Sequence, residues 1–193
     1  MNSEDKNNSA LADEALVTLI VSTNDKKLIE ILYSRYSTKI YNKCYSFTHD
    51  EEEAKDLTQD IFIKLFSKLD TYRGKAKFST WLYSFTYNFL VNYKKRDLSK
   101  KLGDRWENLN KKDINLPAPE DVEDNDLFAL KTARLEKALS LIEPADKALL
   151  LMKYQDDISI KEMQLLLEIG ESAIKMRLKR ARFKLIKVYN ERT

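Results

Sequence analysis

The stretch 156–187, DDISIKEMQLLLEIGESAIKMRLKRARFKLIK, spells out two helices and the turn between them. Ser159 followed by Glu162 is a capping box: the hydroxyl accepts from the amide of residue 162 while the carboxylate accepts from the cap amide. This predicts a helix over 159–167. It ends at EIGES, where Gly170 marks a turn, and Ser172 is placed to cap a second helix over 172–189. In that helix Ile174, Leu178, Ala181, Leu185 and Val188 recur at intervals of three and four, the period of one buried stripe. Helix, short turn, helix is the helix-turn-helix arrangement. Between Lys175 and Lys187 stand seven Lys or Arg and no acid. Such a run repels itself unless a polyanion or partner carboxylates lie nearby, and DNA phosphate is the obvious polyanion. A charge run alone is equally the mark of a solvated face; the capping box and the turn that precede it favour DNA.

Outward from this stretch, the composition points to helix throughout. Gly (3) and Pro (3) are scarce in 193 residues, and the few breakers fall between periodic segments. The fold expected is all-α, as two small helical domains. Residues 1–10 are polar and read as a disordered N-terminus. A helical lobe is expected over 11–96, with helices near 12–22, 25–47, 50–69 and 79–96. The linker, 97–126, is poor in apolar residues, includes PAP and closes with five acids between Pro119 and Asp126. That acidic tail, Glu120 to Asp126, suits either a mimic of nucleic acid or a solubilising spacer. The second lobe is expected over 127–193, with helices near 127–142 and 145–155 ahead of the helix-turn-helix. A single cysteine, Cys44, excludes an internal disulfide. One histidine, His49, leaves no zinc set of the usual kind. No cofactor and no metal are expected. No apolar run approaches the ~20 residues that span a bilayer, and the start lacks the order of a signal peptide, so a cytoplasmic chain without membrane insertion is expected.

In the first lobe, THDEEEAKDLTQDIFIKLFSKLDTY (48–72) opens with candidate caps Thr48 and Asp50 and packs acids into its first turns, where the helix dipole favours them. Ala54, Leu57, Ile61 and Leu65 form its buried stripe. Asp56, Gln59, Asp60 and Ile63 form a polar face interrupted by an aliphatic side chain, which suits either solvent or a docking protein. The next helix carries seven aromatic rings between Lys77 and Arg96 and ends in Lys94, Lys95 and Arg96. One sector holds Trp81, Leu82, Phe85, Phe89 and Tyr93; the opposite one holds Tyr83, Tyr87, Leu90 and Lys94. Trp81, Phe85 and Phe89 are expected to build the core. Tyr83, Tyr87, Asn88, Asn92 and the terminal cations are left outward, where rings stack bases and cations hold phosphate.

The segments LYSRYSTKIYNKCYSF, EEEAKDLTQDIFIKLF, YRGKAKFSTWLY with Asn88, and EPADKALLLMKY with SIKEM and ESAIKMRLKRARFKL closely resemble the two domains of bacterial sigma factors of the extracytoplasmic function group, over about Asp13 to Leu185. The resemblance implies region 2 and region 4 domains joined by a linker that threads core RNA polymerase, with no third lobe between them. It implies a transcription initiation subunit and no enzyme. Its partners would be core RNA polymerase, through the β′ clamp and the β flap, promoter DNA, and an anti-sigma factor. By the same resemblance Asp56, Gln59, Asp60 and Ile63 are polymerase-binding. Tyr72, Arg73, Lys75, Lys77, Phe78, Ser79, Asn88, Lys95 and Arg96 melt and capture the minus 10 strand. Ser172, Lys175, Met176, Arg177, Lys179, Arg180 and Arg182 enter the major groove at minus 35. The chain departs from the family at Tyr87, usually a small residue, at Asn92, usually Asp, and at the turn Glu168-Ile169-Gly170.

Two rivals use the same residues differently. A stand-alone helix-turn-helix regulator would normally need a dimer, and no heptad seam proposes one. A metal-dependent nucleic-acid enzyme would draw on Asp50, Glu53, Asp56 and Asp60, but no Lys, His or Gly-rich loop near them completes a site.

Overall fold

The computed structural model describes residues 10–102 and 132–191. Most of the linker, the acidic tail, residues 1–9 of the N-terminal segment expected over 1–10, and the residues 127–131 expected to open the second lobe lie outside the described residues. Among those described there are eight α-helices and no strand. They are α1 (Asp13–Thr23), α2 (Lys26–Thr48), α3 (Glu51–Lys68), α4 (Phe78–Leu102), α5 (Thr132–Leu141), α6 (Pro144–Leu150), α7 (Ile160–Leu167) and α8 (Glu171–Glu191). The chain divides into two compact units, 1–87 and 88–193, a division that falls inside α4. From sequence this helix was expected to stop at Arg96; it runs to Leu102 because no breaker intervenes before Gly103.

In the first unit α2 packs against both α1 and α3. Leu28, Leu32, Tyr36, Ile40, Cys44 and Phe47 form the buried side of α2, and Ala54, Leu57, Ile61 and Leu65 that of α3, as the period of each helix requires. The connections are made without glycine. Asn24 (φ 51°) and His49 (φ 56°) take left-handed backbone and end α1 and α2, and the amide of His49 donates to the Tyr45 carbonyl at 2.8 Å. Asp25 and Asp50 then start the next helices, accepting from the amides of Lys27 and Glu53, each at 2.8 Å.

The core side of α4 differs from the sequence expectation. Phe78, Leu82, Thr86, Tyr87 and Leu90 are buried, whereas Trp81, Phe85 and Phe89 are only half-buried. With rings in every sector, the helix has no inward side of its own. A neighbour supplies it. Lys43 of α2, 4% exposed, lays its ammonium 4.0 Å above the Tyr83 ring and 3.4 Å from the Tyr87 hydroxyl, so Tyr87 goes inward.

In the second unit α8 packs against α5, α6 and α7. Its buried side is Ile174, Leu178, Ala181 and Leu185. Pro144 begins α6, where its missing N–H costs nothing. A π-helical segment, Leu151–Gln155, continues it, and the Ser159 and Glu162 capping box opens α7 as expected. In the turn to α8 it is Glu168, not Gly170, that takes left-handed backbone, φ 54°. Helix α8 starts at Glu171, so Ser172 lies in its first turn and is not its cap. Polar ties reinforce the packing: Arg134 donates to the Tyr189 carbonyl at 3.0 Å, and Lys184 pairs with Asp146 at 2.9 Å. Burial pushes the Lys147 ammonium down to about 8.

Burial also pushes the Cys44 thiol up to about 11. The folded state therefore keeps this proton where the unfolded chain, near 9, begins to lose it. The resulting contribution to stability is present below pH 9 and declines as pH rises toward 11. A thiol reagent at pH 8 is expected to label Cys44 only as fast as the domain opens, and Cys44→Ala to remove part of the alkaline loss of urea stability. Native labelling as fast as that in denaturant would disprove the burial.

Candidate nucleic-acid interface

Three exposed surfaces collect the residues singled out by sequence. The first is on α8. Ser172, Lys175, Met176, Arg177 and Arg180 are exposed; Lys179 and Arg182 are half-buried. The charges are not equally free. Lys175 pairs with Glu171 at 2.6 Å, which holds the Glu171 carboxyl below its usual range. Lys187 approaches Glu191 at 3.8 Å. Arg182 donates to the Tyr154 hydroxyl at 2.9 Å and so braces α8 against the π-helical segment. The basic run thus has both explanations weighed from sequence: carboxylates take up part of it, and an outward row remains. Arg177 and Arg180, one turn apart, carry that row, and the Met176 side chain, 46% exposed and one turn before Arg180, stands beside it as an apolar contact. Five donors on each guanidinium suit phosphate or a guanine edge.

The second surface is the loop before α4. Arg73, Lys75 and Lys77 all point to solvent. Gly74, φ +67°, makes the bend, and no heavy atom lies within 4 Å of where a Cβ would stand. The Tyr72 hydroxyl donates across the loop to the Ala76 carbonyl at 2.7 Å. Its ring meets Phe78 edge-on at 5.4 Å and Trp81 at the same distance, and Trp81 stacks on Phe85 at 5.7 Å. Ser79 is half-buried. Phe78 corrects the expectation: 0% exposed and packed edge-on to Tyr36, it offers no face to a base and instead anchors the loop from below. The rings with accessible surface here are Tyr72, Trp81 and Phe85, of which sequence had assigned the last two to the core. Asn88, Asn92, Lys95 and Arg96 fall in the second unit as an exposed row at helical spacing on α4.

The third surface is on α3. Asp56, Gln59, Asp60 and Ile63 are exposed on one face, and Ile63, at 69%, is the most exposed large apolar side chain described. Gln59 also borders a shallow groove of about 280 Å³ between α2 and α3, lined by Tyr33, Ser37, Thr38, Tyr41, Lys55 and Thr58. The aromatic half of this groove was not anticipated from sequence: Tyr33 and Tyr41 sit on a helix of which no face was singled out. The second unit has an apolar groove of about 360 Å³, lined by Leu135, Leu139, Leu150, Leu151, Tyr154, Gln155 and Leu185.

Among the described residues no three His, Cys, Asp or Glu are grouped to hold a metal, and no helix is long and apolar enough to cross a membrane. The Asp50 carboxylate is occupied as a helix cap.

The family profile Sigma-70 region 2 matches residues 32–98, and Sigma-70, region 4 matches residues 132–185. The RNA polymerase sigma factor YlaC of Bacillus subtilis is 28% identical over 82% of this chain and 90% of its own length. The ECF RNA polymerase sigma-E factor of Haemophilus influenzae is 35% identical over 43% of each chain. Among solved structures, CnrH, in a complex with the cytosolic domain of CnrY, shares the fold with a TM-score of 0.61 at 20% identity, covering 95% of this chain and all of that one. The two profile matches lie in order and together span more than half of the residues, so the chain belongs to the sigma-70 family, in its extracytoplasmic function group.

Proposed function

We propose that this chain is a dissociable transcription initiation subunit that binds core RNA polymerase and directs it to promoters, acting in the cytoplasm and carrying out no covalent chemistry itself. The observation that carries the reading is the presence, in order, of both sigma-70 regions in one chain. The first lobe, expected over 11–96, docks on the β′ clamp through Asp56, Gln59, Asp60 and Ile63. A face with 69% of Ile63 exposed beside two carboxylates supports this, since an apolar side chain so placed gains on docking. The loop Tyr72–Lys77 holds the melted minus 10 strand, its cations on phosphate and its accessible rings against bases, with Asn88, Lys95 and Arg96 continuing along α4. The second lobe, expected over 127–193, reads the minus 35 duplex with α8, and its apolar groove suits a segment of the β flap. An anti-sigma factor belongs to the same reading; the fold neighbour CnrH is itself held by the cytosolic domain of CnrY. A stand-alone regulator is less favoured, because it leaves the region 2 match and the α3 face without use.

Run-off transcription from genomic DNA by sigma-free bacterial core polymerase tests the whole. Discrete transcripts that appear only with this protein are expected, and their starts give the promoter sequence. If no transcripts form and the protein does not co-elute with core, the initiation role fails. Asp60→Lys is expected to abolish co-elution with core while leaving thermal unfolding unchanged, since the side chain is exposed; retained association would move the docking face elsewhere. For duplex binding by the holoenzyme, Arg177→Ala together with Arg180→Ala should flatten the log–log salt dependence by up to ~2, at roughly one unit per phosphate contact. Arg182→Ala should act mainly on stability, through its bond to Tyr154. An unchanged slope in the double variant would remove α8 from the DNA interface.

A further inference from the structure

Helix α4 begins at a residue whose side chain cannot cap it. Lys77 stands at the cap position, its carbonyl accepting from the Trp81 amide at 3.1 Å, and an ammonium side chain offers no acceptor to the orphan amides of the first turn. The acceptor comes from the other end of the domain: the Glu14 carboxylate on α1 takes the Phe78 N–H at 2.9 Å. The position is favourable twice over, because the bond satisfies an orphan donor and the negative charge meets the positive end of the helix dipole. Glu14 is held there by its neighbour. Asp13 accepts from Arg35 and from the Tyr36 hydroxyl, which fastens the start of α1 to α2. Both carboxylates also lie close enough to Tyr72 to add to the effect of burial in raising its hydroxyl above the usual range. The loop Tyr72–Lys77 is therefore fixed at both ends, by the Tyr72 ring and hydroxyl at one and by the Glu14-capped Phe78 amide at the other.

We infer that Glu14, which lies outside the matched region 2 segment, is a positioning residue for promoter opening: by capping α4 it holds the cationic loop Tyr72–Lys77 in the pose that receives the melted strand. This inference rests on the function proposed above. Glu14 is exposed, so its removal leaves no cavity in the core. Its effect is expected in the loop and not in polymerase docking, because α3 carries the docking face.

The test uses holoenzyme on a duplex promoter mapped by the run-off experiment, with permanganate reactivity of minus 10 thymines as the readout. Glu14→Ala is expected to lower the open fraction about fivefold, the size of a lost helix cap. Core association should stay unchanged. Glu14→Gln, whose amide oxygen still accepts from Phe78, is expected to recover to within about twofold of wild type, losing only the charge. Opening by Glu14→Ala equal to wild type would overturn the inference. So would a fall matched by an equal loss of core association, which would make Glu14 a general contributor to folding. Should the run-off experiment yield no transcripts, and so no promoter to map, the initiation role falls and the Glu14 assignment with it; wild-type opening with an unaffected Glu14→Ala brings down Glu14 alone.

Discussion

The first unit depends on how a buried ammonium is accommodated. Removing a charge from water costs several kcal/mol unless neighbours replace the lost hydration. Lys43 meets that demand with the faces of Tyr83 and Tyr87 and with the Tyr87 hydroxyl. Phe47 packs against Tyr87 from the same helix, so α2 presents both a ring and a cation to one side of α4. Once that side is inward, the rest of α4 follows from helix geometry. Trp81 and Phe85 come to lie together half outside, Phe78 goes under the loop, and the loop's cations point to solvent. A family position usually small is here filled by Tyr87, and the buried lysine is its physical counterpart.

Much of this was legible in the sequence, and the legible part is local. The Ser159 and Glu162 capping box, the Asp50 cap and the three-and-four spacing of Ala54, Leu57, Ile61 and Leu65 each link residues within about one or two turns of the next, so a linear reading recovers them. The core of α8 was legible for the same reason. The misreadings are equally instructive. Which rings of α4 are buried is decided by Lys43, distant in sequence, and no wheel drawn on α4 alone contains that information. The residue that turns the chain between α7 and α8 is Glu168, because left-handed backbone at one position costs little enough for packing to override it, and Gly170 marked the turn without bending it. Glu14 was invisible on both counts. It is a surface acid on an ordinary helix until the fold brings a helix N-terminus to it.

The candidate surfaces were read mainly by residue type, and the fold sorts them by what each side chain is already doing. Of the basic residues in α8, Lys184 is paired with Asp146 and Arg182 is bound to Tyr154. These two are framework and hold α8 against α6 and the π-helical segment. Lys175 has Glu171 for company, an exposed pair that water and salt weaken readily, so it stays available to a phosphate at small cost. Arg177 and Arg180 give the helix its outward charge. The outward positive charge of α8 is therefore smaller than the count of cations in the sequence suggests, and it is concentrated in the first half of the helix.

This sorting separates two kinds of surface within one chain. On α3 Ile63 is exposed beside Asp56 and Asp60, an arrangement that suits a partner able to cover the aliphatic side chain and meet the carboxylates with cations or amide donors. On α8 and the loop before α4, cations are exposed beside accessible rings or Met176, which water tolerates and a polyanion rewards. A protein that met only DNA would gain nothing from the first surface, and one that met only another protein would gain little from the second. The α3 face and the loop before α4 lie in the first unit and α8 lies in the second, so one chain carries both kinds of surface.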